Sequence, residues 1–176
     1  MSYPSYPEYK ESEAEWLGVI PSHWGLRRLK YCLEPVREKT AVLSYPVALE
    51  HIESSSGALV DAEVEYAGEG IRFEPGDILF GKLRPYLAKV YRARAHGQAV
   101  GDFHVMRPVA EIDPGYAENQ VRSEGFISVA DGATYGAKMP RVGWESMANM
   151  LFAVPPKYEQ TQIARFLDHQ TARIDA

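Results

Sequence analysis

The chain has 176 residues with 45% apolar and 24% charged residues and a net charge of −5 at pH 7, the make-up of one globular domain with a real core. No apolar run approaches the roughly 20 residues needed to span a bilayer, no secretory leader is visible, and a lone cysteine, Cys32, excludes an internal disulfide framework. A cytoplasmic, membrane-free protein is the default expectation.

Residues 1–15 read as a flexible leader, with Tyr-Pro pairs followed by alternating acids. Next comes WLGVIPSHWGLRRLKYCLEPV. There Pro21 breaks regular structure, and Trp16, Ile20 and Trp24 offer a small apolar anchor, a stacking surface being the other reading. YPVALEHI is a strand candidate, SSSG a turn, and ALVDAEVEY alternates like a half-buried strand. After the EPGD turn, ILFGKL and YLAKVYRA read as two strands broken at Arg84-Pro85. Strand alternation would put Tyr86 with Arg92 on one face and Lys89 with Tyr91 on the other. VGDFHVMRP is a further strand.

The pattern then changes. PGYAENQVRSEGFISVADGA predicts two short helices with Ser123 or its neighbour as a cap and Gly132 as a stop. TYGAKMPRV is expected to be a loop, and MANMLFAVPP a short apolar strand. Pro155 and Pro156 suit the start of a last helix, with Glu159 in its first turn. Along it Ile163, Leu167, Gln170 and Ile174 follow steps of four, three and four, a coiled-coil seam. The sequence reaches Ala176 without a stop signal, so a helix cut short is expected; a frayed helix packed on its own domain is the other reading. The order predicts an α+β fold: a mixed or antiparallel sheet domain with short helices (1–155), then the start of a long coiled-coil-type helix (156–176).

No catalytic pattern emerges. None of the five histidines is spaced with another ligand as a metal site requires. AGEGIRF lacks the Lys-Ser/Thr of a phosphate loop. EYK (8–10) has a nuclease-like acid-x-Lys form but no acid upstream, and VPPK (154–157) has Val154 where an amino-methyltransferase motif needs an amide or acid. No cofactor and no metal are expected.

Charge is unevenly spread. Between Glu8 and Glu65 there are 11 acids against 6 Lys and Arg, whereas residues 81–98 hold 5 cations and no acid. A local cluster of one sign sets the local field whatever the total. KLRPYLAKVYRAR and TYGAKMPR interleave cations with tyrosines, the residue types that neutralise and hydrogen-bond phosphates. A solvated face is the competing reading.

GDILFGKLRPYLAKV, FHVMRP, GATYGAKMPRVGWESM, VPPKYEQTQIARFLDHQTARID and the opening YPEYKESEAEWLGVIPSHW occur in this order. Together they resemble the specificity (S) subunit of type I restriction–modification systems over nearly the whole chain. The resemblance implies a non-catalytic target recognition domain that reads one half of a split DNA site. It also implies a helix that sets spacing and docks modification (methyltransferase) subunits, with a restriction subunit completing the enzyme. Carried over to this sequence, phosphate contact or loop structure falls to Lys82, Arg84, Tyr86, Lys89, Tyr135, Lys138 and Arg141, with Arg92 in the same basic run. The partner helix would use Ile163, Leu167, Gln170 and Ile174, and self-pairing through it stays open. Base-reading residues are expected in 43–66 and 92–98. A protein-interaction scaffold working through the last helix is the alternative.

Overall fold

A computed structural model describes residues 5–174. Strand β1 (Tyr9–Glu11) pairs antiparallel with β2 (Val19–Pro21). The second half of the expected flexible leader is therefore an ordered hairpin, with Ser12 fully buried beneath it; residues 1–4 lie outside the described residues. Strand β3 (Gly25–Arg28) leads into a single 3-10 turn at Leu29–Tyr31 and then β4 (Leu33–Pro35). Two short strands follow, β5 (Lys39–Thr40) and β6 (Pro46–Val47), then β7 (Gly70–Phe73), β8 (Ile78–Gly81), β9 (Val90–Arg92), β10 (Gly97–Ala99) and β11 (Phe103–Pro108).

These strands build two four-stranded sheets. One is antiparallel, in the order β4-β11-β8-β9; the other, β5-β7-β10-β6, is mixed, its β10–β6 pair being parallel. The mixed α+β architecture expected from the sequence is thus present. β8 is buried along its length, which is why ILFG reads as continuous apolar residues instead of alternating ones. Ile78 and Phe80 point into one core with Phe126 and Phe152, while Leu79 points into a second with Phe73, Phe103 and Val105.

Helices α1 (Pro114–Arg122) and α2 (Glu124–Gly132) cover the first core. Asp113 and Ser123 cap them, each side chain accepting a backbone N–H, from Tyr116 and Phe126. The expected TYGAKMPRV loop is a tight hairpin, β12 (Thr134–Tyr135) with β13 (Arg141–Val142), whose tip is 136–140. Helix α3 (Trp144–Ala148) follows. Then β14 (Leu151–Val154) returns to pair with β3, Val154 opposite Gly25. The last element is helix α4 (Lys157–Ile174).

Of two expected strands, YLAKVYRA keeps only Val90–Arg92 and ALVDAEVEY is lost. Arg84 and Ala88 take left-handed backbone (φ 50° and 48°) on either side of a 3-10 turn at Pro85–Leu87. The Tyr86/Arg92 alternation therefore fails: Tyr86 is exposed, whereas Arg92 lies on β9 with a largely buried side chain. ALVDAEVEY forms no strand; one bridge, Ile52 to Leu59, is its sole ladder contact. It is pinned instead by His51, whose Nδ1 accepts the Ala48 N–H while Nε2 donates to the Ala62 carbonyl.

At the base of α4, Glu159 is buried and gathers the N-terminal region. Its carboxylate accepts from Trp24 Nε1 (2.8 Å) and Tyr6 OH (3.0 Å), and lies 2.6 Å from His23 Nε2. Tyr158 OH adds a fourth bond at 3.1 Å. Burial by itself raises the Glu159 pKa; the bonds from His23, Trp24, Tyr6 and Tyr158 outweigh it, and the carboxyl ends below its ordinary value. Trp24 and Ile20 are thereby anchors of the hairpin, and Trp16 packs edge-on against Phe126 with ring centroids 5.7 Å apart.

Candidate nucleic-acid interface

The two basic, tyrosine-bearing segments meet. The end of β8 continues past Gly81 and is stitched to the 134–142 hairpin. Val142 N–H donates to the Lys82 carbonyl (3.0 Å), Arg84 N–H donates to the Pro140 carbonyl (2.8 Å), and Leu83 bridges Arg141. Lys82 N–H in turn donates to the Asp102 carbonyl (2.9 Å). The left-handed Arg84 and the rigid Pro85 turn the chain away there. Tyr86 (56% exposed) and Tyr135 (65% exposed) are thus presented at one edge, together with exposed Arg84 and Lys138.

The eight residues expected at the surface divide by their partners. Lys82, Arg84 and Lys138 have no carboxylate within ion-pair distance among the described residues. Three others are engaged inside the chain. Lys89 Nζ donates to the Leu49 carbonyl (2.7 Å). Arg92 sits 3.1 Å from Glu118 of α1 and 3.4 Å from Asp168 of α4. Arg141 grips Asp102 through two bonds, 2.9 and 3.0 Å, which also hold its pKa above the usual value. Asp102 and Glu118 are the partners that sequence reasoning missed. Each lies far along the chain from the arginine it holds, and no local pattern signals the pairing.

Behind the edge, His104 Nε2 donates to the Val142 carbonyl (2.8 Å) and its ring lies 5.9 Å from that of Trp144. Burial holds the His104 pKa below its ordinary value. The Cys32 thiol, buried in the core, is pushed up to about 11 by desolvation and so stays protonated. Among the described residues no group of His, Cys, Asp and Glu is arranged to hold a metal ion, and no helix is long and apolar enough to cross a membrane.

Segments 43–66 and 92–98, where base readers were expected, border open grooves. One of about 420 Å³ is lined by Tyr45, His51, Val60 and Glu63 among others. A second, about 590 Å³, runs between Tyr45, Arg94, Arg122 and the outer turns of α4. Arg94 and His96 are exposed.

On α4 the expected seam divides as well. Ile163 packs against the domain core, Gln170 is half-buried, and Leu167 (36%) and Ile174 (83%) are exposed.

The two-sheet domain with its hairpin edge and departing helix has the fold of the specificity subunits of type I restriction–modification systems. The chain is similar to the type I restriction enzyme EcoDI specificity subunit of Escherichia coli, 25% identical over 174 residues, and spans 39% of that relative's length. The HsdS subunit from Thermoanaerobacter tengcongensis superposes with a TM-score of 0.72 at 20% identity, over 89% of this chain and 44% of that one. A chain from a type I R-M system, solved for its complex assembly and conformational transition, gives a TM-score of 0.74 at 22% identity over 88% and 44%. The type I S subunit from M. genitalium gives 0.59 at 14% identity over 87% and 40%. No protein-family model matches the chain. The resemblance carried by the sequence motifs agrees with these likenesses.

Proposed function

We propose that this chain is a DNA target recognition domain of a type I specificity subunit, reading one half of a bipartite site. The observation that carries the reading is the stitched edge at 81–84 and 140–142. In a chain of net charge −5, it gathers Lys82, Arg84 and Lys138 without a carboxylate partner and sets two exposed tyrosines beside them. Such a surface suits backbone phosphates, which position a protein on the duplex but carry no sequence information. Base readout then falls to the grooves at 43–66 and 92–98. Lys89, Arg92 and Arg141 hold the shape of this surface from within. The domain catalyses nothing itself and uses no cofactor; methyl transfer and cleavage belong to modification and restriction subunits of a cytoplasmic complex, docked with the help of α4.

The test is selection from a pool of random duplexes, alone and with a cognate modification subunit, at two salt concentrations. Enrichment of one short half-site is expected. Three phosphate contacts predict a log–log salt slope of about −2.7. Absence of enrichment in both conditions would reject the reading.

The exposure of Leu167 and Ile174 supports a second reading, a scaffold that assembles through α4, by self-pairing or with a partner helix. It predicts assembly that salt does not weaken.

A further inference from the structure

A second cluster of cations stands apart from the edge described above. Arg27 and Arg28 end β3, and Lys30 and the exposed Tyr31 lie in the 3-10 turn that follows. Their backbone is rigid. Arg28 pairs with Leu151 on β14, the Leu29 N–H donates to the Met150 carbonyl (2.9 Å), and the Leu29 side chain is fully buried.

What these cations face is unusual. Arg28 Nη1 and Lys30 Nζ both approach one neutral oxygen, Asn149 Oδ1, at 3.1 and 3.4 Å. The Asn149 amide is fixed by its own Nδ2, which donates to the Glu145 carbonyl (2.8 Å). Lys30 also lies 5.3 Å above the Tyr31 ring. No carboxylate comes within 4.0 Å of Arg27, Arg28 or Lys30 among the described residues, Glu145 and Glu34 included. By contrast Lys39, Arg72, Arg92, Arg107, Arg122 and Arg141 each have one. Two like charges drawn to a single neutral acceptor repel each other, and an anion placed between them relieves that repulsion.

We infer that Arg28 and Lys30 form a second phosphate-binding site, which takes the DNA backbone flanking the half-site. The inference rests on the DNA-recognition reading above and extends it to a surface that sequence reasoning counted only as charge. The favoured occupant is nucleic acid and not an acidic protein face. Arg28 and Lys30 converge on one point, Asn149 Oδ1, as a compact phosphate requires.

The experiment uses two duplexes from the enriched pool with the same core, one with long flanks and one cut at the core. The full chain is compared with an Arg28→Gln, Lys30→Gln variant, which keeps the stems, and with Lys138→Ala. The expected result is weaker binding of the long duplex by the double variant, its salt slope shallower by about 0.9, one phosphate. Binding of the core duplex should match the unmodified chain. A variant with Arg28→Lys and Lys30→Arg should keep the slope, which separates loss of charge from loss of fold. If the double variant equals the unmodified chain on the long duplex while Lys138→Ala weakens both, the second site is wrong and the recognition reading stands. If Lys138→Ala also changes nothing, the recognition reading itself fails. Unchanged DNA binding with lost association to a modification subunit would assign the cluster to a protein partner and overturn the inference.

Discussion

The Arg141 guanidinium and the Asp102 carboxylate meet in a two-point contact, Nε to Oδ1 at 2.9 Å and Nη2 to Oδ2 at 3.0 Å. The contact ties the β12–β13 hairpin to the turn before β11, and it leaves Arg141 with an anion already in hand. Arg141→Ala should therefore lower DNA affinity by loosening the hairpin, with little change in salt slope. Asp102→Asn should produce the same loss. A slope reduced by a full phosphate in Arg141→Ala alone would show that Arg141 touches DNA directly.

Arg84 and Lys138 differ in having no such partner. Each alanine substitution should weaken binding about equally across unrelated duplexes and reduce the salt slope by about 0.9. A change in which sequence is enriched, at constant slope, would instead make that residue a base reader.

Arg92 joins three elements, from β9 to Glu118 on α1 and Asp168 on α4. Arg92→Ala strands the buried Glu118, although Arg122 still lies 3.3 Å from it. A loss of about 2–3 kcal/mol in urea unfolding is expected, below the full cost of an orphaned buried charge because Arg122 remains. Asp168→Asn, at an exposed carboxylate, should cost under 1 kcal/mol. Equal costs would mean that the α4 contact carries the network.

Glu159 gives a pH signature. Its folded pKa lies below the ordinary carboxylate value, so the stabilisation it provides is complete above the unfolded pKa. That stabilisation is lost as pH falls from about 4.3 through the folded value. Glu159→Gln should be less stable by about 1–3 kcal/mol at pH 7, since buried donors from Trp24 and Tyr6 lose their charged acceptor. The gap to the unmodified chain should close on acidification, as followed by thermal unfolding from pH 7 to pH 3. A gap independent of pH would point to packing and not to charge.

The helix seam can be divided by substitution. Ile163→Asp should destabilise the domain itself, because Ile163 packs on its core. Leu167→Asp and Ile174→Asp should leave monomer stability within about 0.5 kcal/mol and abolish any helix-mediated association seen by sedimentation. Undiminished association in both would exclude this face of α4 as a docking surface.

Local rules carried the sequence reading where local physics decides. Ser123 between two helices, Gly132 at the end of the second, and Pro155-Pro156 before α4 are capping, stop and entry signals that act within one turn, and those three helices stand where the signals put them. Alternation misled at YLAKVYRA. There Arg84 and Ala88 adopt left-handed backbone, a conformation that non-glycine residues rarely take and that composition does not announce. It misled again at ALVDAEVEY, which has the right pattern but makes only the Ile52–Leu59 bridge. In the candidate interface the basic, tyrosine-bearing strings were legible from charge alone. Which of their cations are spoken for was not, since Asp102, Glu118 and Leu49 reach Arg141, Arg92 and Lys89 across 26 to 40 positions of chain.

Tyr6 and Glu159 are 153 positions apart yet share a hydrogen bond, and β3 finds its partner only in β14. A nascent chain emerging from the ribosome therefore holds β3 without its strand partner, and the β1–β2 hairpin without Glu159, until the segment around Pro155 has been made. Closure over so long a loop is slow compared with helix formation. At about 5–20 residues per second, the unpaired backbone edge of β3 waits for several seconds. Arg27 and Arg28 of β3, with the acids of residues 8–15, keep the waiting region in water until Glu159 arrives to receive it.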